Sequence, residues 1–297
     1  MPHLAGDIGG TNCRLALFEG GRVLRREVVP TEGSGIVGPL RAFLGDDVVE
    51  AACLAVAGPV VEGHATLTNH RWSFHEDELA EALGCPVRVV NDFHAAARGV
   101  LELTDEGWRS LNGSRAARGT AVVLGPGTGL GQALLLEDGS VVPGEGGHVD
   151  FAPNDEEQLR LWRHLAERYG HVSVERVLSG RGLVDLHAFF RAEGLAGEVP
   201  STPADVSRGE DQASVAARRC FVSVLGAHAG NLALQVLPTG GVWLCGGIPP
   251  RLDLQGITEA FAHKGRFSEL VERVPLVLVT DPRLGLLGAA ALAKALV

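Results

Sequence analysis

Apolar and polar positions alternate through the first third of the chain with the period of β-strands, and helical spacing interrupts them at intervals. The strands are predicted at residues 3–30 (a meander broken at Gly9-Gly10 and Gly20-Gly21), 50–56, 63–67 and 86–90. The helices are predicted at residues 36–45, 75–83 and 92–101. This order predicts an α/β layer, in which residues 63–67 are expected to pair with the strand at 50–56.

The same alternation resumes after a polar stretch at residues 104–118, which marks the crossing into a second unit. Strands are predicted at residues 119–125, 130–137, 140–142, 242–245 and 275–279, and helices at 155–168, 173–192 (with a break at 179–182), 211–236 and 286–296. The Gly/Pro/Ser-rich residues 194–209 are predicted to form a loop. We expect a small α/β domain at residues 1–102, completed by the C-terminal helix at 283–297, and a large α/β domain at 103–282.

Composition narrows the classes of function. The 297 residues are 45% apolar and 21% charged, which fits a globular protein of about two domains. A net charge of −10 gives no basic surface for nucleic acid or for anionic membranes. No apolar run approaches the roughly 20 residues that span a bilayer, and no signal peptide is visible. The five scattered cysteines lack zinc spacing, which favours reduced thiols in a cytoplasm.

A polar glycine turn between two apolar strands is the first candidate for chemistry. Gly9 and Gly10 have no Cβ, so the turn can take positive φ and let a ligand approach backbone N–H groups closely. Thr11 and Asn12 add side-chain donors, and the Asp7 carboxylate suits a hydrated divalent cation beside a phosphate. A hairpin with an ordinary glycine turn explains the same residues.

The pattern recurs, which favours the ligand-binding interpretation. Residues 125–131, with Thr128 at their centre, again join two apolar strands through glycines, and a third glycine turn follows a strand at residues 244–248. Neither a P-loop nor a G-x-G-x-x-G motif that opens a helix occurs. Two phosphate loops from two similar halves predict a nucleotide held in a cleft between two domains.

Asn91-Asp92 lies where a predicted strand ends and a helix begins, the position at which open α/β sheets bind ligands. An aspartate there suits a base that takes a proton from a substrate hydroxyl, with the asparagine orienting the substrate. The alternative is that Asp92 caps the helix.

Glycines also surround Glu145 and His148, so these side chains stand on a loop of close approach. A carboxylate that accepts and an imidazole that donates suit a polyhydroxyl ligand, whereas a surface turn is the structural alternative. Glu175 alone is explained by pairing with Arg176 at a helix start.

The chain resembles the bacterial glucokinases of the hexokinase–actin–chaperone ATPase superfamily. The motifs run in family order over nearly the whole chain: residues 6–17, Thr68 to Phe74, 91–93, 125–131, 143–154, 170–183 and 245–251. Residues 143–154 and 170–183 are the specific ones. The Cys-rich zinc motif and DNA-binding helix pair of the related repressor branch are not found in the sequence.

The resemblance implies an α/β fold of two ribonuclease H-like (actin-like ATPase) domains with a cleft between them, and ATP-dependent phosphorylation of D-glucose. Asp92 would be the general base. The sugar would be held by Asn91, Asp92, Gly129, Glu145, His148 and Glu175. The nucleotide would be held by Asp7, Ile8, Gly9, Gly10, Thr11, Asn12, Thr128, Gly246, Gly247 and Ile248. Asp7 would lie near a water-coordinated Mg²⁺, and the enzyme would be a homodimer. A kinase for another hexose or amino sugar and a non-catalytic sugar- or nucleotide-sensing protein are the alternatives.

Overall fold

The computed structural model of the protein describes residues 1–33, 35–67, 70–114, 116, 118–200 and 202–297. Thr68 and Asn69, which open one of the family motifs, lie outside the described residues.

The described elements follow one another in an α/β order. The strands are β1 (His3–Ile8), β2 (Asn12–Glu19), β3 (Arg22–Pro30), β4 (Ala52–Val56), β5 (Val60–Val61), β6 (His64–Thr66), β7 (Ser73–His75), β8 (Val87–Asn91), β9 (Trp108–Ser110), β10 (Ala121–Pro126), β11 (Leu130–Leu135), β12 (Val141–Gly144), β13 (Gly241–Leu244) and β14 (Leu276–Val279). The helices are α1 (Val37–Leu44), α2 (Glu76–Leu83), α3 (Asp92–Gly99), α4 (Glu156–Tyr169), α5 (Gly180–Ala192), α6 (Pro203–Arg208), α7 (Gln212–Val236), α8 (Leu254–Ala262), α9 (Ser268–Glu272) and α10 (Leu284–Lys294).

The chain forms two compact units. The first comprises Met1–Gly107, Gly139–Pro143 and Asp281–Val297, and the second comprises Trp108–Asp138 and Gly144–Thr280.

The first unit is built on a five-stranded sheet in the order β3-β2-β1-β4-β8, in which β1, β4 and β8 are parallel. Side chains of β1 alternate between two cores, as the period of a strand requires. Leu4 and Ile8 pack with the residues of α1 and α2, whereas Ala5 packs on the opposite face with Leu286 and Ala289 of α10. Both faces of the sheet are therefore covered by helices.

Helix α10 packs within the first unit. An ideal Cβ on Gly288 would lie 1.7 Å from the carbonyl oxygen of Ala95, and one on Gly99 would lie 2.2 Å from that of Leu284. Because a side chain fits at neither position, glycines are what allow α3 and α10 to cross so closely.

The predicted partner of residues 63–67 is wrong. Strand β6 pairs with β5 and β7 in a separate three-stranded sheet and not with β4. Glu62 and Gly63 both have positive φ, 50° and 76°, which is the conformation of a two-residue hairpin turn. That local turn returns the chain onto β5 before it can reach the larger sheet.

In the second unit, β11, β10, β13, β14 and β9 lie side by side in that order, and β10, β13 and β14 are parallel. The buried helix α7 lies across this sheet, and its Leu225 and Phe221 are completely inaccessible to solvent. Glycines again set a helix crossing, because an ideal Cβ on Gly226 would meet the carbonyl oxygen of Ile257 in α8 at 2.3 Å.

The prediction of a loop over residues 194–209 is wrong in its second half, where α6 forms. Thr202 caps this helix: its hydroxyl accepts from the backbone N–H of Asp205, and the Asp205 carboxylate accepts from the backbone N–H of Thr202. Pro203 occupies the first helical position, where its missing N–H does no harm. The predicted helix at 173–192 is a single turn at Val174–Arg176 followed by α5, which Ser179 caps.

All five cysteines are buried free thiols. Within the described ranges, no helix has the length and apolar character that crossing a membrane demands, and no group of three or more side chains is suited to hold a metal ion.

Candidate active site

The first glycine turn joins β1 to β2 and is held from the end of β3. The backbone N–H of Gly9 donates to the carbonyl oxygen of Asn12 at 3.0 Å, and the hydroxyl of Thr31 donates to that of Gly9 at 2.7 Å. Neither Gly9 nor Gly10, both described, uses the positive φ that glycine allows. An ideal Cβ on Gly9 would lie 3.1 Å from the Asn12 carbonyl oxygen, a tight contact that the absence of a side chain avoids.

The exposure of this turn divides its residues into two groups. Thr11 and Asn12 are exposed and Gly9 and Gly10 are half-buried, so their polar groups reach the surface. The side chain of Ile8 is completely buried in the core. Only the backbone of Ile8 can therefore serve a ligand.

Asp7 forms an ion pair with Arg14, which lies directly opposite on β2. The Oδ2 of Asp7 accepts from Nη1 of Arg14 at 3.0 Å. Burial raises the pKa of Asp7 above its ordinary value, and the Arg14 guanidinium opposes that rise. The carboxylate is 28% exposed, so it can still reach a hydrated cation.

Asn91 ends β8, two strands from the glycine turn and in the same row of the sheet. Ile8 pairs with Val56, and Val56 pairs with Asn91. The amide of Asn91 caps α3, because its Oδ1 accepts from the backbone N–H of Phe93 at 2.9 Å and its Nδ2 donates to the carbonyl oxygen of Gly58 at 3.1 Å. The carboxyl ends of β1 and β8 thus bring the turn and Asn91 to one edge.

Asp92 is the first residue of α3 and not its cap. Its side chain is half-buried, and its Oδ1 also accepts from the backbone N–H of Phe93 at 2.9 Å. The carboxylate is therefore oriented by the helix start, where the helix dipole favours a negative charge.

The second and third glycine turns are neighbours in the second unit, at the ends of the adjacent parallel strands β10 and β13. Gly246 has a φ of 91°, and an ideal Cβ on it would meet the carbonyl oxygen of Pro126 at 2.9 Å. Thr128 and Gly247 are exposed, and Ile248 is half-buried. An ideal Cβ on Gly247 meets no atom within 4 Å, so the surface beside this residue is open.

Glu175 and Gly129 are in direct contact. The Oε2 of Glu175 accepts from the backbone N–H of Leu130 at 2.8 Å, and an ideal Cβ on Gly129 would lie 2.4 Å from that oxygen. The expectation that Glu175 pairs with Arg176 is not what is seen, since its carboxylate binds the start of β11. Sequence distance conceals this contact, because 45 residues separate its partners.

The turn that carries Glu145 and His148 rests on the same strand. An ideal Cβ on Gly147 would lie 2.1 Å from the carbonyl oxygen of Leu130, and one on Gly146 would lie 2.5 Å from the side chain of Gln132. The backbone N–H of His148 donates to the carbonyl oxygen of Glu145 at 2.9 Å. Glycine is needed in this turn because β11 is so near.

The polar ends of this turn face outward. Nε2 of His148 lies 3.9 Å from Oε2 of Glu145, and their side chains are 60% and 70% exposed. The chain then runs beside the segment that carries Glu175: Val174 donates to Val149, and Phe151 donates to Val172, both at 2.9 Å between backbone atoms. Gly129, Glu145, His148 and Glu175 are therefore gathered around the start of β11.

Two further residues support these groups and were not identified from the sequence. Thr31 braces the first turn and Gln132 lies beneath the Glu145 turn. Neither belongs to a motif, and no sequence signal distinguishes them from their neighbours.

The comparisons with known proteins agree with one another. Residues 4–296 match a family model described as Glucokinase. The chain is 41% identical to a protein named glucokinase from Chromohalobacter salexigens, over 97% of this chain and 96% of that protein. A crystal structure of glucokinase from an Antarctic psychrotroph has a TM-score of 0.87 and 32% identity and covers 99% of both chains.

A ROK family glucokinase from Streptomyces griseus, solved in complex with glucose and AMPPNP, has a TM-score of 0.71 at 24% identity, over 99% of this chain and 100% of that one. This likeness bears on the fold alone. With the nearer structure, it confirms the predicted α/β, actin-like ATPase fold.

Proposed function

Because the chain belongs to the glucokinase family, we propose that it transfers the γ-phosphoryl group of ATP to the 6-hydroxyl of D-glucose. The observation that carries this proposal within the structure is the gathering of Gly129, Glu145, His148 and Glu175 around the start of β11. Two carboxylates accept hydrogen bonds, and an imidazole and the backbone beside Gly129 can also form them, so this set suits a ligand with several hydroxyls. It suits neither an apolar ligand nor a polyanion.

The sugar hydroxyls are assigned to Glu145, His148 and Glu175, with the backbone of Gly129 as a close neighbour. Glu145 and His148 are exposed enough to meet a ligand. Glu175 keeps one carboxylate oxygen on the backbone of Leu130, which fixes the direction of the other. A site that satisfies each hydroxyl rejects an analogue that lacks one by roughly 10⁴–10⁵.

Asp92 is assigned as the general base, which takes the proton of the 6-hydroxyl as its oxygen bonds to phosphorus. Asn91 is assigned to the sugar as well, although its amide already makes two hydrogen bonds within the protein. One N–H of Nδ2 remains for a sugar hydroxyl. The larger contribution of the Asn91 side chain is to hold the start of α3 in place, and Asp92 with it.

The three glycine turns are assigned to the nucleotide. Backbone and side-chain donors from Gly9 to Asn12, with Thr128, would hold the phosphates, and Gly246, Gly247 and Ile248 would border the adenosine. A cavity of about 780 Å³ between α7 and α8 includes Arg251 and Leu252 in its lining, but Gly246, Gly247 and Ile248 do not line it.

Asp7 is assigned to Mg²⁺ through water. A single partly exposed carboxylate beside a phosphate turn fits this ion, which usually keeps several waters and takes few protein ligands. When bound, the ion would neutralise charge on the phosphates. We also propose that the protein is cytoplasmic. We propose a homodimer as well, and sedimentation would support it by giving a mass of twice 31.1 kDa.

The test is a coupled assay of ADP production across a panel of sugars and phosphoryl donors. We expect ADP only when both ATP and glucose are present. A stronger response to another hexose or to an amino sugar would change the substrate, and sugar binding without ADP release would indicate a sensing protein.

A further inference from the structure

Gln132 lies under the turn that presents Glu145 and His148. It is in the middle of β11, opposite Leu124 of β10. An ideal Cβ on Gly146 would lie 2.5 Å from Cδ and Oε1 of Gln132 and 2.6 Å from Nε2. All three atoms of the amide group therefore press against Gly146, and the glycine is what makes room for them.

The amide is unusual because its oxygen is buried and unused. Oε1 of Gln132 is inaccessible to solvent and has no hydrogen-bond partner among the described residues. Buried polar groups are nearly always paired, and an unpaired one opposes folding. A methionine has the same length and would fill this space without that cost. The amide therefore calls for a partner that the described contacts do not supply.

The turn that carries Glu145 and His148 is held in place at Gly147 and is adjustable at Gly146. Gly147 meets the backbone of β11 at the carbonyl oxygen of Leu130, a contact that cannot yield without moving the strand. At Gly146 the nearest atoms belong to the end of a flexible side chain, that of Gln132. The conformation of Gln132 thus sets how the backbone between Glu145 and His148 lies on the strand.

We propose that Gln132 is a positioning residue of the sugar site: with sugar bound, its Oε1 accepts a hydrogen bond from the backbone of the Gly146–Gly147 turn and fixes the spacing of Glu145 and His148. This inference rests on the proposed function, because it assigns Gln132 to the recognition of the same sugar. Gln132 acts through the turn and not on the ligand, since its oxygen is closed to solvent.

The test compares Gln132→Met with wild type in the steady-state assay. We expect the KM for glucose to rise about tenfold, which corresponds to about 1.4 kcal/mol, with kcat and the KM for ATP within about threefold of wild type. The melting temperature should not fall, because the replacement fills the same space. The matched control is Gln255→Met on α8, whose amide donates to Glu259 on the surface and which should leave both KM values unchanged.

A double-mutant cycle tests the contact itself. Gly146→Ala adds a methyl group where the amide lies and should raise the KM for glucose, since φ at Gly146 is not positive and the backbone accepts alanine. Gln132→Ala removes the amide that the methyl group would strike. The double variant should therefore show a smaller rise than the product of the single effects.

Three results would overturn the inference: a KM for glucose within twofold of wild type in Gln132→Met, an equal rise in the KM for ATP, or purely multiplicative effects in the cycle. Failure of the proposed function looks different, because wild-type protein would then release no ADP with glucose.

Discussion

The carboxylate of Glu175 accepts a hydrogen bond from the backbone N–H of Leu130 at 2.8 Å and so joins the segment before α5 to the first residue of β11. Leu130 is 5% exposed, so this N–H has no ready access to water. The contact predicts that Glu175 has two separable roles, one in stability and one in sugar binding.

Glu175→Ala should lower the free energy of unfolding by about 1–3 kcal/mol, because it leaves a buried donor unpaired. Glu175→Gln keeps an acceptor oxygen and should lose much less stability while it raises the KM for glucose. Urea denaturation and steady-state kinetics measure the two effects. Equal stability of the two variants would show that the Leu130 hydrogen bond contributes nothing.

Gly129→Ala tests the same contact from the other side. The added Cβ would lie 2.4 Å from Oε2 of Glu175, so the carboxylate must move away from Leu130. We expect the dissociation constant for glucose to rise by about tenfold or more, a loss of at least about 1.4 kcal/mol in binding. Isothermal calorimetry with glucose measures this directly, and wild-type affinity in the variant would contradict the role of Glu175.

The cap of α3 gives a prediction about stability. Asn91→Ala removes the side-chain acceptor for the N–H of Phe93 and the donor to Gly58. Loss of such a cap costs about 0.5–2 kcal/mol. Thermal unfolding should show the decrease, whereas an unchanged melting temperature would mean that Asp92 or water replaces the cap.

A buried histidine gives the pH dependence of stability. Burial, with a smaller contribution from nearby Lys264, lowers the pKa of His228 from 6.5 to about 4. The unfolded chain therefore takes up a proton on this side chain below pH 6.5, and the folded protein does not until about pH 4. Stability from this group is fully present above pH 6.5 and is lost as the pH falls through this window.

The loss should reach about 2 kcal/mol between pH 7.5 and 5. Denaturation of wild type and of His228→Gln at both pH values gives the fall in the free energy of unfolding for each protein. The difference between the two falls is the contribution of His228. An identical fall in both proteins would place the effect on other groups.

The sequence predicted the elements whose signals are local. The three glycine turns and the capped helices α4 and α7 all follow from short patterns. Helix α6 had such a signal too, the capping box of Thr202 and Asp205, but the Gly/Pro/Ser content of its surroundings concealed it. The hairpin at Glu62-Gly63 was likewise a local signal that pointed to β5.

The parts of the site that escaped prediction depend on packing. The bond from Glu175 to Leu130 joins distant positions, and the contact of Gln132 with Gly146 depends on how a turn settles on a strand. Sequence spacing cannot reveal either. The capping role of Asn91 was also missed, because Asn91 and Asp92 are both good caps and only the backbone decides between them.

The most direct test of the central claim is kcat for Asp92→Ala, measured as ADP production at saturating glucose and ATP. Because Asn91 also accepts from the backbone N–H of Phe93, this variant should stay folded, with only a small fall in melting temperature from the lost Asp92 contact. Loss of a general base predicts that kcat falls by about 10²–10⁴ while the protein stays folded. A folded variant with kcat within tenfold of wild type would contradict the assignment of Asp92 as the base.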